Sequence, residues 1–197
     1  GSHLANIHTL RSLGDSRKIR DLGKQVRKAV VIGSSFIGME GAQSLQQLDC
    51  AVTMVAPEEV PFARVFGEKI GRKIQQWHED AGIEFKLGRT AQRFDGNQKV
   101  SKVILDNNEE IEADLVLVGI GVEPATQLLK GMELAEDGGV PVDEYLAAGE
   151  HLYAAGDVAR YPYDGSTARI EHWKVAAQQG RIAGMNMAGK NEPYSAI

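Results

Sequence analysis

Cysteine is all but missing from this chain: Cys50 is the only one in 197 residues. A single thiol excludes an intramolecular disulfide, a C-x-x-C redox pair and a thiolate metal cluster. Its position just before the apolar run Val52 to Val55 points to a packed, structural role. Positive charge is also in short supply, with 22 basic residues against 27 acidic ones and a formal net charge of -5. No basic block stands out, which argues against nucleic acid or an anionic membrane as the main partner. No stretch reads as a secretory leader or a membrane span, so a cytoplasmic setting is expected.

What is present is a chain that is 43 % hydrophobic and 25 % charged, with 22 glycines. That composition fits a globular chain that turns often, long enough for one large α/β domain or one domain plus part of another. Gly1, Ser2 and His3 read as the remnant of a cleaved expression tag.

The most informative stretch is Ala29-Val30-Val31-Ile32-Gly33-Ser34-Ser35-Phe36-Ile37-Gly38-Met39-Glu40-Gly41. An apolar strand runs through a small-residue turn into a helix, the opening of a dinucleotide-binding βαβ unit. Gly33 would let the chain turn tightly as it leaves the strand. Gly38 would let the helix lie close to the sheet with its free N–H groups facing a diphosphate. The middle glycine of G-x-G-x-x-G is missing, because Ser35 stands there and adds a Cβ where the backbone should approach the pyrophosphate. A plain strand-turn-helix packing unit is the alternative reading.

Around this motif the chain alternates. Thr9 to Lys24 suggests a connector and a short helix capped by Asp15 or Ser16. A helix from Phe36 to about Leu48 precedes the strand Val52 to Val55. In dinucleotide folds that strand ends in an acidic residue for the adenosine ribose, roughly 20 residues after the glycines. Here Ala56-Pro57 occupies its end and Glu58 follows, so either Glu58 reaches back or something else holds the ribose. The choice between NAD and NADP stays open.

A helical pattern from Val65 to Ala81 places Val65, Ile70, Ile74 and Trp77 at near-helical spacing, with Trp77 expected in the core. Gly82 to Leu87 reads as a strand. Alternating segments at 90–94, 99–105 and 110–111, with turns at Asp95-Gly96 and Asp106-Asn107-Asn108, suggest an antiparallel insertion. Ala113 to Val118 is a buried strand that delivers Gly119 and Gly121 to the mouth where open sheets bind ligands. Beyond Pro124, Gly138 to Asp143 reads as a turn and short strand, and Leu152 to Asp157 as a strand ending in Gly156-Asp157. A helix from about Thr167 to Ala188 would pack through Ile170, Trp173, Ala177, Gly180, Ala183 and Met187.

Taken together, VVIGSSFIGMEGA (30–42), VGIGVEP (118–124), LYAAGDVAR (152–160) and RIEHWKVAAQQGRIAGMNMAG (169–189) resemble the flavoprotein reductases with two dinucleotide-binding domains. Among these it resembles the ferredoxin, rubredoxin and putidaredoxin reductases and the apoptosis-inducing-factor-like group of the pyridine nucleotide-disulfide oxidoreductases. That resemblance implies an NADH or NADPH site in the central domain and an FAD site in a flanking one. Hydride would pass to the flavin, and electrons onward to a ferredoxin- or rubredoxin-like acceptor.

It further implies that Gly33, Ser35, Phe36, Ile37 and Gly38 line the nucleotide diphosphate, with Glu58 beyond them. Glu40 would lie near the junction of nicotinamide and flavin, and Gly119 and Gly121 would border the nicotinamide. Gly156 and Asp157 would meet the ribityl or diphosphate end of FAD, and Glu171, His172 and Trp173 would pass beside the isoalloxazine. No metal is implied.

The family's first FAD fingerprint, expected well upstream, has no counterpart before Gly33, and its C-terminal interface domain has none after Ile197. A fragment without stable FAD and with little reductase activity is therefore expected. The expected architecture is α/β: a Rossmann-like parallel sheet with an antiparallel insertion, plus an incomplete half of an FAD-type domain. Residues 4–26 would be a connector and short helix, 27–124 the NAD(P)-binding domain and 125–197 the returning portion of the FAD-binding domain. Two other readings are a non-catalytic dinucleotide-binding module and a scaffold that pairs with a second copy into a homodimer through its strand edges.

Overall fold

The computed structural model describes residues 1–195. The chain divides into two compact units, Gly1–Gly121 and Val122–Ile197.

The first unit runs β1 (Ile7–Thr9), α1 (Leu13–Gly23), β2 (Lys28–Ile32), α2 (Phe36–Gln46), β3 (Ala51–Ala56), α3 (Ala63–Asp80) and β4 (Glu84–Leu87). It then turns through β5 (Ala91–Gly96), β6 (Val100–Leu105) and β7 (Glu110–Glu112) to β8 (Leu115–Val118). Strands β1-β8-β2-β3-β4, in that spatial order, form one parallel sheet. Strands β5-β6-β7 form a separate antiparallel sheet. A parallel sheet needs both faces covered, which is why its strands read as unbroken apolar runs. On one face Val31, Met54 and Leu117 pack with Met39, Ala42 and Leu45 of α2. On the other, Val30, Val55 and Val116 pack with Val103 and Leu105 of the antiparallel sheet.

Several sequence expectations are corrected here. Ile7–Thr9 is not a connector but an edge strand, with Ile7 opposite Val116 and Thr9 opposite Val118. Three residues are too few to display a period. Helix α1 is capped by Ser12 rather than by Asp15 or Ser16. The Ser12 hydroxyl accepts from the Asp15 N–H at 3.2 Å, and the Asp15 carboxylate accepts from the Ser12 N–H at 2.8 Å, a reciprocal box. Asp95-Gly96 lies within β5.

Trp77 is 58 % exposed, and Val65 and Ile70 are exposed with it. Of the expected stripe only Ile74 packs inward, and Gly71 beside it is buried. A Cβ on Gly71 would fall 2.2 Å from the Pro61 carbonyl oxygen, so the close approach of backbone at Gly71, not the apolar stripe, sets which face is buried.

Cys50 is buried, and its thiol donates to the Gly23 carbonyl at 3.3 Å. Burial pushes its pKa up. Ellman's reagent is expected to label the folded chain at least about a hundredfold more slowly than the urea-unfolded chain, because a core thiol reacts only through costly opening.

The second unit holds β9 (Val140–Pro141), β10 (Ala147–Gly149), β11 (Leu152–Tyr153), a single 3-10 turn (Gly156–Val158), β12 (Ala159–Tyr163), β13 (Ser166–Ala168) and α4 (Trp173–Met187). Strand β12 lies between β13, antiparallel, and β9, parallel. Its core gathers Leu146, Tyr161 and Ala183.

Helix α4 begins at Trp173, later than expected, because Ser166–Ala168 is a strand. Its buried face is Gln179, Ala183 and Asn186, while Trp173, Gly180 and Met187 are exposed. Two amides face inward because each has backbone to satisfy. Asn186 Nδ2 donates to the carbonyls of Tyr145 and Glu192, both at 2.8 Å. No helix among the described residues is long and apolar enough to cross a membrane.

Candidate functional site

In the first unit the carboxyl ends of β2, β3 and β8 meet at the turn 33–35, the topological switch point of an open parallel sheet. Three glycines interlock there. Gly33 has φ +103°, donates its N–H to the Val55 carbonyl at 2.8 Å, and leaves no room for a Cβ, which would lie 2.3 Å from the Gly119 carbonyl oxygen. A Cβ on Gly38 would lie 2.0 Å from the Gly33 carbonyl oxygen, and one on Gly119 would lie 3.1 Å from the Gly38 nitrogen. The start of α2 is thus pressed against the sheet end. Its first turn holds no acidic side chain, and its unpaired N–H groups and dipole favour an anion.

Ser35 occupies the N-cap at φ -99°, exposed and with its hydroxyl making no capping bond. That backbone angle suits any residue.

A cavity of about 280 Å³ opens at this turn, lined among others by Gly33, Ser35, Glu58, Phe62, Arg64 and Ile120. A second, of about 580 Å³, lies along Ile7, Ile32, Val55, Thr90, Phe94 and Val118. Pro57 and Ile120 line both. Ala56, at the strand end where dinucleotide folds carry an acid, is fully buried, whereas Glu58 faces the first cavity with Arg64 at 4.0 Å.

In the second unit Gly156 adopts φ +78° and donates its N–H to Gln179 Oε1 at 2.8 Å. The next carbonyl, that of Asp157, accepts from Arg169 Nη1 at 2.9 Å. Arg169 also pairs with Asp137 at 2.8 Å and Glu171 at 2.7 Å, and Arg160 joins Asp137 at 2.9 Å. The Asp157 carboxylate itself is exposed and makes no hydrogen bond or ion pair among the described residues. His172 caps α4 by accepting from the Lys174 N–H at 3.2 Å, and its ring stacks on that of Trp173, which is 72 % exposed.

Residues 1–180 match the family described as pyridine nucleotide-disulphide oxidoreductase. The chain belongs to the pyridine nucleotide-disulphide oxidoreductases. Within this family it is 38 % identical over 191 residues to monodehydroascorbate reductase 2, peroxisomal, of Oryza sativa, covering 93 % of this chain and 40 % of the relative. It is 31 % identical to human apoptosis-inducing factor 3, covering 100 % of this chain and 34 % of the relative. A ferredoxin reductase from Rhodopseudomonas palustris superposes with a TM-score of 0.92 at 29 % identity, over 98 % of this chain and 49 % of that one. The chain therefore spans less than half the length of these relatives.

Set against this oxidoreductase family, the site residues expected from the sequence separate by unit. Gly33, Ser35, Glu58 and Gly119 line the first cavity, and Gly38 packs beneath it. Phe36, Ile37 and Glu40 follow on the first turns of α2, with Phe36 and Glu40 exposed. Gly121, at φ +119°, ends the first unit. Gly156, Asp157, Glu171, His172 and Trp173 belong to the second unit, grouped at the 3-10 turn and the start of α4.

Sequence reasoning missed Phe62 and Arg64, which reach the cavity from the N-cap and first turn of α3. It also missed Asp137, Arg160, Arg169 and Gln179, which fix the Asp157 turn. No local spacing signals them, since Asp137 and Arg169 are brought together across 32 residues.

Asp137 titrates with a clear sign. Burial works to raise its pKa, but the Arg169 guanidinium, the Gly139 N–H and Arg160 outweigh it and hold the carboxyl below its usual value. A depressed folded pKa gives stability that is present above the ordinary carboxylate range, about 4, and lost as pH falls through the folded pKa. Thermal unfolding followed from pH 6 to pH 3 is expected to show a falling acid limb that Asp137→Asn flattens.

Proposed function

We propose that the first unit binds a reduced pyridine nucleotide. We further propose that the protein to which the chain belongs passes its hydride through FAD to a ferredoxin-type acceptor. The observation that carries this reading is the interlock of Gly33, Gly38 and Gly119 beneath an acid-free helix start, with a cavity directly above it. Two cavities sharing Pro57 and Ile120 suit a ligand with two ring-bearing halves. Glu58 is the carboxylate available to a ribose diol, and it would repel a 2′-phosphate, which favours NADH over NADPH.

For the flavin, this chain would supply the Asp157 carboxylate, left unengaged by its neighbours, and the exposed Trp173 ring beside His172 and Glu171. A bound flavin would accept the hydride and release the electrons. The first unit would orient the nicotinamide and the second the flavin, without a catalytic acid-base pair. The family membership and the likeness to a ferredoxin reductase support the choice of acceptor class.

Calorimetric titration of the chain with NADH and NADPH tests the first step. NADH is expected to bind the more tightly, and Glu58→Ala to weaken NADH about tenfold or more, the loss of one hydrogen bond to a charged group. Folded chain giving no heat with either nucleotide at millimolar concentration would refute the reading. Assay of the whole protein with a ferredoxin and with monodehydroascorbate as alternative acceptors tests the second step.

A further inference from the structure

The chain between β3 and the body of α3 is pinned at two places and exposed between them. Val60 and Pro61 are buried, and the Pro61 carbonyl lies so close to Gly71 that no Cβ fits between. Helix α3 is unbroken only beyond Gly67, whose φ and ψ of 77° and 167° interrupt it. Between these anchors Phe62 sits in the left-handed region at φ +57°. Space at the Gly67 Cα is open, with nothing near enough to touch a Cβ. The segment is a single turn, with the N–H groups of Val65 and Phe66 both donating to the Phe62 carbonyl at 2.9 Å.

Phe62, Ala63, Arg64 and Val65 form one wall of the first cavity, yet Val65 is 59 % exposed, Phe66 42 % and the Arg64 side chain 87 %. Aromatic edges are the main hold on the turn. Phe62 meets Phe36 of α2 at 4.8 Å between ring centroids, Phe66 meets Phe62 at 5.5 Å, and Phe66 meets Phe36 at 5.9 Å.

We infer that residues Phe62–Gly67 are a strap that folds down over the bound dinucleotide, turning at Phe62 and Gly67 while Phe66 keeps its hold on Phe36. Closure covers apolar side chains that the open wall leaves in water, and the two left-handed residues at its ends absorb the change in backbone direction. The inference rests on the nucleotide-binding reading above. The strap governs how long the nucleotide stays, not whether the diphosphate turn can hold it.

The test uses the chain with and without NADH, at concentrations where calorimetry shows saturation. Trypsin cleavage after Arg64, and hydrogen exchange across 62–67 followed by mass spectrometry, are both expected to slow about tenfold when NADH is bound. Phe66→Ala is expected to raise the NADH dissociation rate about tenfold in stopped flow while leaving association unchanged. Binding heat with unchanged cleavage and exchange, or a Phe66→Ala dissociation rate equal to the parent's, overturns the strap and leaves the nucleotide site standing. Absence of binding heat removes both.

Discussion

Gly38→Ala is expected to lower the melting temperature of the first unit by roughly 10 °C and to abolish measurable nucleotide binding. The added methyl would stand 2.0 Å from the Gly33 carbonyl oxygen and 2.9 Å from its carbonyl carbon. Both are backbone atoms, and Gly33 is itself held by the bond from its N–H to Val55. Nothing at the contact can rotate away. Helix α2 would have to slide off the sheet end, losing packing of Met39, Ala42 and Leu45.

Overpacking of this kind costs about 2–4 kcal/mol, which in a unit of this size corresponds to the quoted shift. The same displacement would move the helix N–H groups away from the diphosphate. Ser35→Gly makes the contrast. It restores the missing middle glycine, yet Ser35 is exposed and adopts an angle open to every residue, so stability is expected to change by less than about 1 kcal/mol. Circular dichroism melts of the two variants, with calorimetry of each against NADH, check the pair. Equal melting temperatures for Gly38→Ala and the parent would show that the glycine is not required for close approach.

That contrast also indicates which features a sequence can disclose. The β2–α2 turn was legible because everything it needs lies within a dozen consecutive residues: a strand buried on both faces, a glycine forced to positive φ, and a helix start without acid. The parallel sheet and its antiparallel insertion were legible for the same local reason, through apolar runs and alternation.

What escaped was set from a distance. Trp77 lies on an apolar stripe that periodicity assigns to a core, but Gly71 pressed on Pro61 chooses another face of the same helix. Helix α4 buries two amides because the carbonyls of Tyr145 and Glu192 and the N–H of Gly156 need partners there, and Tyr145 and Gly156 lie 41 and 23 residues from the amides they meet. Ile7–Thr9 becomes a strand only because β8 arrives beside it. At the cavity, Glu58 was visible as a residue, whereas Phe62 and Arg64 depend on a break at Gly67 that no composition rule announces.

Gln179→Leu is expected to destabilise the second unit by about 1–3 kcal/mol, even though it replaces a polar side chain by an apolar one of similar volume at a fully buried position. Transfer free energy alone predicts the opposite sign. The decisive group is the Gly156 N–H, buried on a left-handed turn and bonded to Gln179 Oε1 at 2.8 Å. Leucine cannot accept that bond, and the unpaired donor stays in place because Arg169 clamps the adjoining Asp157 carbonyl from the other side.

One offset works in leucine's favour. Gln179 Nε2 is itself buried and meets no hydrogen-bond partner among the described residues, so the substitution also removes a poorly placed donor. The loss is therefore expected in the lower half of that range, and its sign shows which effect is the larger. Gln179→Glu separates the terms further, since a carboxyl oxygen can still accept from Gly156 while a charge at this depth is penalised. Its stability should approach the parent's at acid pH and fall as the pH rises through its raised pKa. A Gln179→Leu chain more stable than the parent would show that hydrophobic burial, and not the hydrogen bond to Gly156, holds the Asp157 turn.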